Sequence, residues 1–223
     1  MLFGDDYGRE NPRLAGRKGE IFTPCCRFDY LGFGDIHGFG VGVKRYNRDY
    51  FIKRGNFFPL LKGFIFALFI RVFLRPKSLL DVGCALGEVV YFATKLSIKS
   101  EGVDISNEAI SQQSFSLRSN CKIGSVLNLP FQDKSFDVVS GLALLEHIPE
   151  RETVRALEEL LRVSKKFVLL QICVKDNPFE GKHYLLDQTH VNVQQSNWWI
   201  KTFDDLGLKF RTIPRTGLFI FRT

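Results

Sequence analysis

The chain has 223 residues, 45% of them hydrophobic and 25% charged, which gives room for one domain of ordinary size plus an extension. These proportions exclude wholesale disorder and a fibrous repeat, and no internal repeat of about 20–50 residues is present. The formal net charge of +7 is unevenly placed: residues 1–77 hold 14 Lys/Arg against 7 Asp/Glu, while residues 78–223 hold 17 against 17. A nucleic-acid enzyme spreads its basic face over the catalytic domain, so nucleic acid is not the expected partner. The five cysteines include no Cys-x-x-Cys pair, and no segment has the pattern of a secretory signal. A cytoplasmic protein with reduced thiols is therefore expected.

Residues 1–45 read as a loose, basic, glycine-rich segment. Nine of the 19 glycines fall before residue 43, and their backbone entropy opposes regular structure unless the segment packs on something else. The adjacent pair Cys25 and Cys26 lacks nearby partners at metal-ligand spacing. Residues 46–77 form a helical extension, dominated by FFPLLKGFIFALFIRVFL from Phe57 to Leu74. Fourteen of these eighteen residues are apolar, and Lys62 and Arg71 lie on opposite sides of a helical wheel. Three readings stay open: a helix buried beside the sheet, a helix lying in a membrane interface with basic flanks, and a short membrane span weakened by Lys62 and Gly63.

From residue 78 strand and helix alternate. Ser78–Val82 is a short apolar run and Glu88–Leu96 has helical spacing. Glu101–Asp104 is a second strand, followed by a helix over Asn107–Leu117 with Ser106 placed to cap it. Lys122–Val126 and Phe136–Ser140 read as strands and Arg151–Val163 as an amphipathic helix. Phe167–Cys173 has the continuous apolar character of a buried parallel strand. Ser196–Leu206 reads as a helix, with Leu208–Ile213 and Leu218–Arg222 as closing strands. Alternation of this kind means a doubly wound α/β fold, residues 78–223 forming the domain.

The decisive stretch is Leu79-Leu80-Asp81-Val82-Gly83-Cys84-Ala85-Leu86-Gly87-Glu88, an apolar strand running through a glycine turn into a helix. A dinucleotide site requires G-x-G-x-x-G with its pyrophosphate on the helix N-terminus. Here the turn is G-x-A-x-G, and Asp81 and Glu88 place two carboxylates where a diphosphate would be repelled. A ligand with a cationic head suits the turn better. Asp104 ends the second strand in Gly102-Val103-Asp104-Ile105-Ser106, where a carboxylate can accept from both hydroxyls of a ribose, with Ile105 beside an adenine face.

Together these segments resemble the class I S-adenosylmethionine (SAM)-dependent methyltransferases of small-molecule type. The carrying motifs are LDVGCxxG (80–87), GVDIS (102–106), LPFxDxSFD (129–137) and LEHIP (145–149), in register along the chain. The resemblance implies a mostly parallel, seven-stranded Rossmann-like sheet preceded by an N-terminal helical lid. It implies SAM as cofactor, with S-adenosylhomocysteine (SAH) as product. Asp81 and the Gly83 backbone would hold the methionine end, flanked by Cys84, Ala85 and Gly87. Asp104 would take the ribose, with Ile105, Ser125 and Val126 around the adenine. Leu142 would offer its backbone to the amino-acid moiety. Two departures stand out: Ala85 replaces the middle glycine, and Ser125 stands where many members have an Asp for the adenine amino group.

SAM carries its own leaving group, so methyl transfer is an in-line displacement that needs positioning above all. A base is required only for a weakly acidic acceptor. His147 is one candidate, after Glu146. Similar quinone O-methyltransferases bind a metal with a further Glu three residues earlier; that position here is Ala143, so no metal centre is expected. The loop holding His183, Tyr184, Asp187 and His190 is the other source, Asp187 either orienting His190 or capping the following helix. Trp198 and Trp199 either line a pocket or pack the helix. A small-molecule or lipid-linked acceptor is expected, with peripheral membrane contact through residues 57–74. An RNA or protein methyltransferase and a non-catalytic SAM-binding protein are the alternatives.

Overall fold

Short, β-branched apolar runs between glycine turns fold into parallel strands because both faces of the sheet are covered. In the computed structural model, residues 57–113, 120–178, 187 and 189–223 are described. Seven strands are present: β1 (Ser78–Val82), β2 (Lys99–Asp104), β3 (Cys121–Ile123), β4 (Phe136–Leu142), β5 (Ser164–Gln171), β6 (Phe210–Ile213) and β7 (Leu218–Arg222). Their order is β3-β2-β1-β4-β5-β7-β6. β1 through β5 pair in parallel, and β7 enters antiparallel between β5 and β6. The expected seven-stranded, mostly parallel sheet is what forms.

Consecutive residues of the central strands face opposite layers. Leu79, Val138 and Leu169 pack under α1 (Phe57–Phe69) and α2 (Glu88–Lys95). Leu80, Val139 and Leu170 pack under α4 (Thr153–Val163) and α5 (Ser196–Asp205). Trp199 is fully buried there with Phe203, Phe219 and Phe221, so Trp199 packs the helix against the sheet. The short α3 (Asn107–Gln112) begins as expected, the Ser106 hydroxyl accepting from the Ala109 N–H, but ends at Gln112 with Gln113 extended; residues 114–117 of the expected helix lie outside the described residues. The third strand stops at Ile123 instead of Val126. Beyond Gly124 the Ser125 hydroxyl accepts from the Leu127 N–H at 3.2 Å, a local turn that competes with extended pairing.

The apolar segment does form a helix, α1, which ends in a wider turn over Ile70–Leu74 closed by Arg75. Gly63 is its contact point. A Cβ there would sit 2.7 Å from the Glu88 Cβ, so only glycine lets α1 lie against the first turn of α2. Ala67 and Ile70 complete the inner face. The outer face is apolar too: seven of the thirteen exposed large hydrophobic side chains among the described residues lie between Leu60 and Phe73. That explains the missing amphipathic stripe. The helix presents one apolar face to the protein and a second outward. No helix among the described residues is long and apolar enough to cross a membrane.

Candidate active site

The strand order reverses at β1, with β2 on one side and β4 on the other. A crevice opens beyond the carboxyl ends of strands at such a point, and the glycine turn falls there. Gly83 and Gly87 adopt positive φ of 76° and 82°. The Gly83 and Cys84 N–H groups both donate to the Val103 carbonyl, at 2.7 and 3.1 Å, which ties the turn to β2. Ala85, in the middle-glycine position, holds a left-handed φ of 47°. The turn therefore keeps its glycine-type backbone with an alanine in it, a conformation that costs about 1 kcal/mol for a residue with a Cβ. Cys84 is buried against Cys121 and Val90 and serves as packing.

Asp104 anchors the next part. One carboxylate oxygen accepts from the Ala85 N–H and the other from the Ser106 N–H, both at 2.8 Å. Both carboxylate oxygens are thus fixed in place by the turn. The Asp104 carbonyl accepts from Gly124, which carries the Ser125 turn to the same crevice. Val126 is buried in the core, while Ile105 is exposed, free to lie on a flat ring. Leu142 is half-buried at the end of β4.

Asp81 is 4% exposed, and it accepts from the Ser140 hydroxyl across the β1–β4 pair at 2.7 Å. Burial pushes its carboxyl up to about 7; the Ser140 bond opposes the shift and the charges of Glu88 and Asp104 add to it. The charges of Glu88 and Asp104 are thus felt at Asp81, a negative field at the turn that attracts a cationic ligand. Because the folded group binds its proton more tightly than the unfolded one, unliganded protein loses stability as pH rises from about 4 to about 7. A sulfonium or ammonium group favours ionised Asp81, so SAM affinity should rise about tenfold per pH unit below 7 and level off above it. Calorimetric titrations between pH 6 and 8 check this, and a flat profile would remove Asp81 from the site.

Residues 143–147 lie beside the glycine turn. Ala143 has a positive φ of 53°, and Leu144 lies across the turn, its Cδ1 at 3.1 Å from where a Gly83 Cβ would be. One turn further on, Glu146 is completely buried and a carboxylate oxygen accepts from the Cys173 N–H at 3.2 Å. Its backbone carbonyl accepts from the N–H groups of Val191 and Asn192 at 2.9 and 3.0 Å. Those two bonds bring the loop after β5 onto the turn after β4. His147 and His190 consequently meet edge to face, ring centroids 4.7 Å apart.

Asp187 stands behind them, an oxygen 3.7 Å from His190 Nε2. It also accepts from the Thr189 N–H at 2.8 Å and the Thr189 hydroxyl at 2.5 Å. Asp187 does not cap α5; Asp176 does, accepting from the Ser196 N–H and hydroxyl. His183 and Tyr184 lie outside the described residues. Gln171 at the end of β5, absent from the candidates above, accepts from Lys62 of α1 at 3.2 Å. The lone Lys in an apolar helix was the available signal.

Residues 80–170 match the family model described as a methyltransferase domain. This segment is similar to a methyltransferase domain. Norajmaline N-methyltransferase of Rauvolfia serpentina is 30% identical over 98 residues, 40% of this chain and 33% of that one. A probable chloroplastic tocopherol O-methyltransferase of Oryza sativa is 32% identical over 98 residues, 40% of this chain and 26% of that one. The chain spans a third or less of the length of these two relatives. Among solved structures, a SAM-dependent methyltransferase from Archaeoglobus fulgidus superposes with a TM-score of 0.55 at 18% identity, covering 69% of this chain and 75% of that one. The matched segment takes in Asp81, Asp104, the glycine turn and the Glu146-His147 turn.

Proposed function

We propose that this chain is a cytosolic enzyme that transfers a methyl group from SAM to a small-molecule or lipid-linked acceptor. The observation that supports the proposal is the packing of Leu144 against Gly83, which sets a cofactor end and an acceptor end side by side. Asp81, the Gly83 turn and Asp104 form the first, and Glu146, His147, Asp187 and His190 the second. In this reading Asp81 and the Gly83 backbone hold the methionine end, with Cys84, Ala85 and Gly87 shaping the turn. Asp104 takes the ribose hydroxyls; Ile105, Ser125 and Val126 border the adenine, and the Leu142 backbone meets the amino-acid moiety. The histidine cluster activates the acceptor, Asp187 fixing the position of His190. The likeness to an alkaloid N-methyltransferase and a tocopherol O-methyltransferase supports a small organic acceptor.

The N-terminal part fits a lid that meets lipid. The inner face of α1 is docked on α2, and Lys62 reaches Gln171 at the carboxyl end of β5. Its outward face is apolar from Leu60 to Phe73, and the basic excess lies in residues 1–77. Apolar area plus positive charge is what binds an anionic membrane surface. Methyl-labelled SAM incubated with the full chain and a crude lipid extract tests the proposal. Label should enter an organic-soluble product, and the protein should sediment with vesicles containing phosphatidylglycerol but less with neutral ones. Label found only in RNA or protein would overturn it.

A further inference from the structure

We infer that Gln113 is a positioning residue of the cofactor site: its side-chain amide holds Ala85 in the left-handed conformation that a glycine would adopt unaided. The inference rests on the reading of the glycine turn as the SAM-binding turn. Gln113 follows α3 in extended conformation and is only 2% exposed. A glutamine in the interior is costly unless its amide is hydrogen-bonded. Its Nε2 donates to the Ala85 carbonyl at 2.9 Å and to the Cys84 sulfur at 3.8 Å. An amide nitrogen carries two N–H groups, so one side chain clamps two successive residues of the turn.

The turn holds its other left-handed residues differently. Gly83 and Gly87, with φ of 76° and 82°, donate their N–H groups to the backbone carbonyls of Val103 and Cys84. Glycine populates that region about as readily as the right-handed one, so neither needs further support. Ala85 sits at a φ of 47° with a Cβ, a conformation disfavoured for it. Both of its own polar backbone groups engage side chains instead. Its N–H donates to Asp104 and its carbonyl accepts from Gln113. Holding the peptide plane on each side of the Ala85 Cα restricts φ and ψ together. Asp104 and Gln113 thus form a two-sided clamp, one arm at the end of β2 and the other after α3. Asp104 also takes the ribose in the reading above, whereas Gln113 is given no cofactor contact there, so its variants report on the turn.

The consequence for binding is a population effect. If SAM binds only the left-handed turn, the apparent dissociation constant is the intrinsic one divided by the fraction of chains in that conformation. The clamp keeps that fraction near one despite the alanine. Without the amide, the half-buried Ala85 carbonyl loses this donor and the unliganded turn relaxes. Part of the binding energy of SAM must then restore the turn, and affinity falls about tenfold, the scale of one such hydrogen bond. With glycine at position 85 the left-handed conformation needs no clamp, so the loss disappears.

The test is a double-mutant cycle on the full chain, read by calorimetric titration of SAH at pH 8 and by urea unfolding. Gln113→Met keeps the side-chain length and removes the donor. It should bind SAH about tenfold more weakly than wild type. Ala85→Gly/Gln113→Met should bind within about threefold of Ala85→Gly. That rescue by glycine separates positioning from packing, because a packing defect costs the same in both backgrounds. Equal losses in the two backgrounds would overturn the clamp, and so would wild-type affinity in Gln113→Met. Should Gln113→Met fail to fold, Gln113→Glu takes its place in the cycle, with nearly the same shape and no N–H donor. Unfolding reads the clamp without ligand: the destabilisation by Gln113→Met should shrink in the Ala85→Gly background. If the wild-type chain binds no SAH, that coupling in stability would keep the clamp and sink the methyltransferase reading beneath it. Additive stabilities would then overturn the clamp as well.

Discussion

Replacing Asp104 with alanine lowers the affinity for SAM and SAH at least tenfold. A ribose lying on Asp104 receives two hydrogen bonds to a charged acceptor, each contributing about 1.5–3 kcal/mol. The full loss therefore reaches about a thousandfold or more. The same carboxylate also accepts from the Ala85 and Ser106 N–H groups. Alanine would thus loosen the glycine turn as well as remove the ribose contact. Asp104→Asn separates the two effects, since one amide oxygen still accepts from the backbone or the ribose but carries no charge; it should fall between wild type and alanine. Calorimetry with SAH is the measurement, and wild-type affinity in the alanine variant would mean that the ribose lies elsewhere.

His147→Ala and His190→Ala each reduce methyl transfer by about 10²-fold or more, the scale on which positioned acid–base groups act. Cofactor affinity should remain near wild type, because neither side chain belongs to the turn that holds SAM. The two losses should be of similar size if both histidines act on the acceptor through one centre. A large loss in one variant alone would instead mark that histidine as a lone base. Wild-type rates in both would remove the cluster from the chemistry. Single-turnover rates with saturating SAM distinguish these results, because they exclude product release.

Much of the domain was legible because its signals are local. β1, β4 and the second half of β5 are largely apolar runs buried on both faces, and the turn after β1 carries its glycines in sequence. β3 was drawn too long since nothing in Lys122–Val126 announces that the Ser125 hydroxyl captures the Leu127 N–H and ends the strand. The outward apolar face of α1 was hidden for a different reason. A helix apolar all round does not reveal which side packs, and Gly63 against Glu88 decides it.

The acceptor end was legible as parts but not as a unit. Glu146-His147 and His190 were each visible as candidates. What joins them is a pair of backbone hydrogen bonds from Val191 and Asn192 to the Glu146 carbonyl, and backbone bonds between distant loops leave no periodic trace. Asp187 had two open roles, and only the finding that Asp176 caps α5 separates them. The pairing of Lys62 with Gln171 was likewise out of reach, since it joins the extension to the last parallel strand across 109 residues.

Calorimetric titration of SAM and SAH into the purified full chain at pH 8 tests the central claim most directly. One site per chain with a dissociation constant of about micromolar or below, lost in Asp104→Ala, is the predicted result. No heat and no competition with either ligand, from a protein whose circular dichroism shows a folded α/β domain, would contradict it.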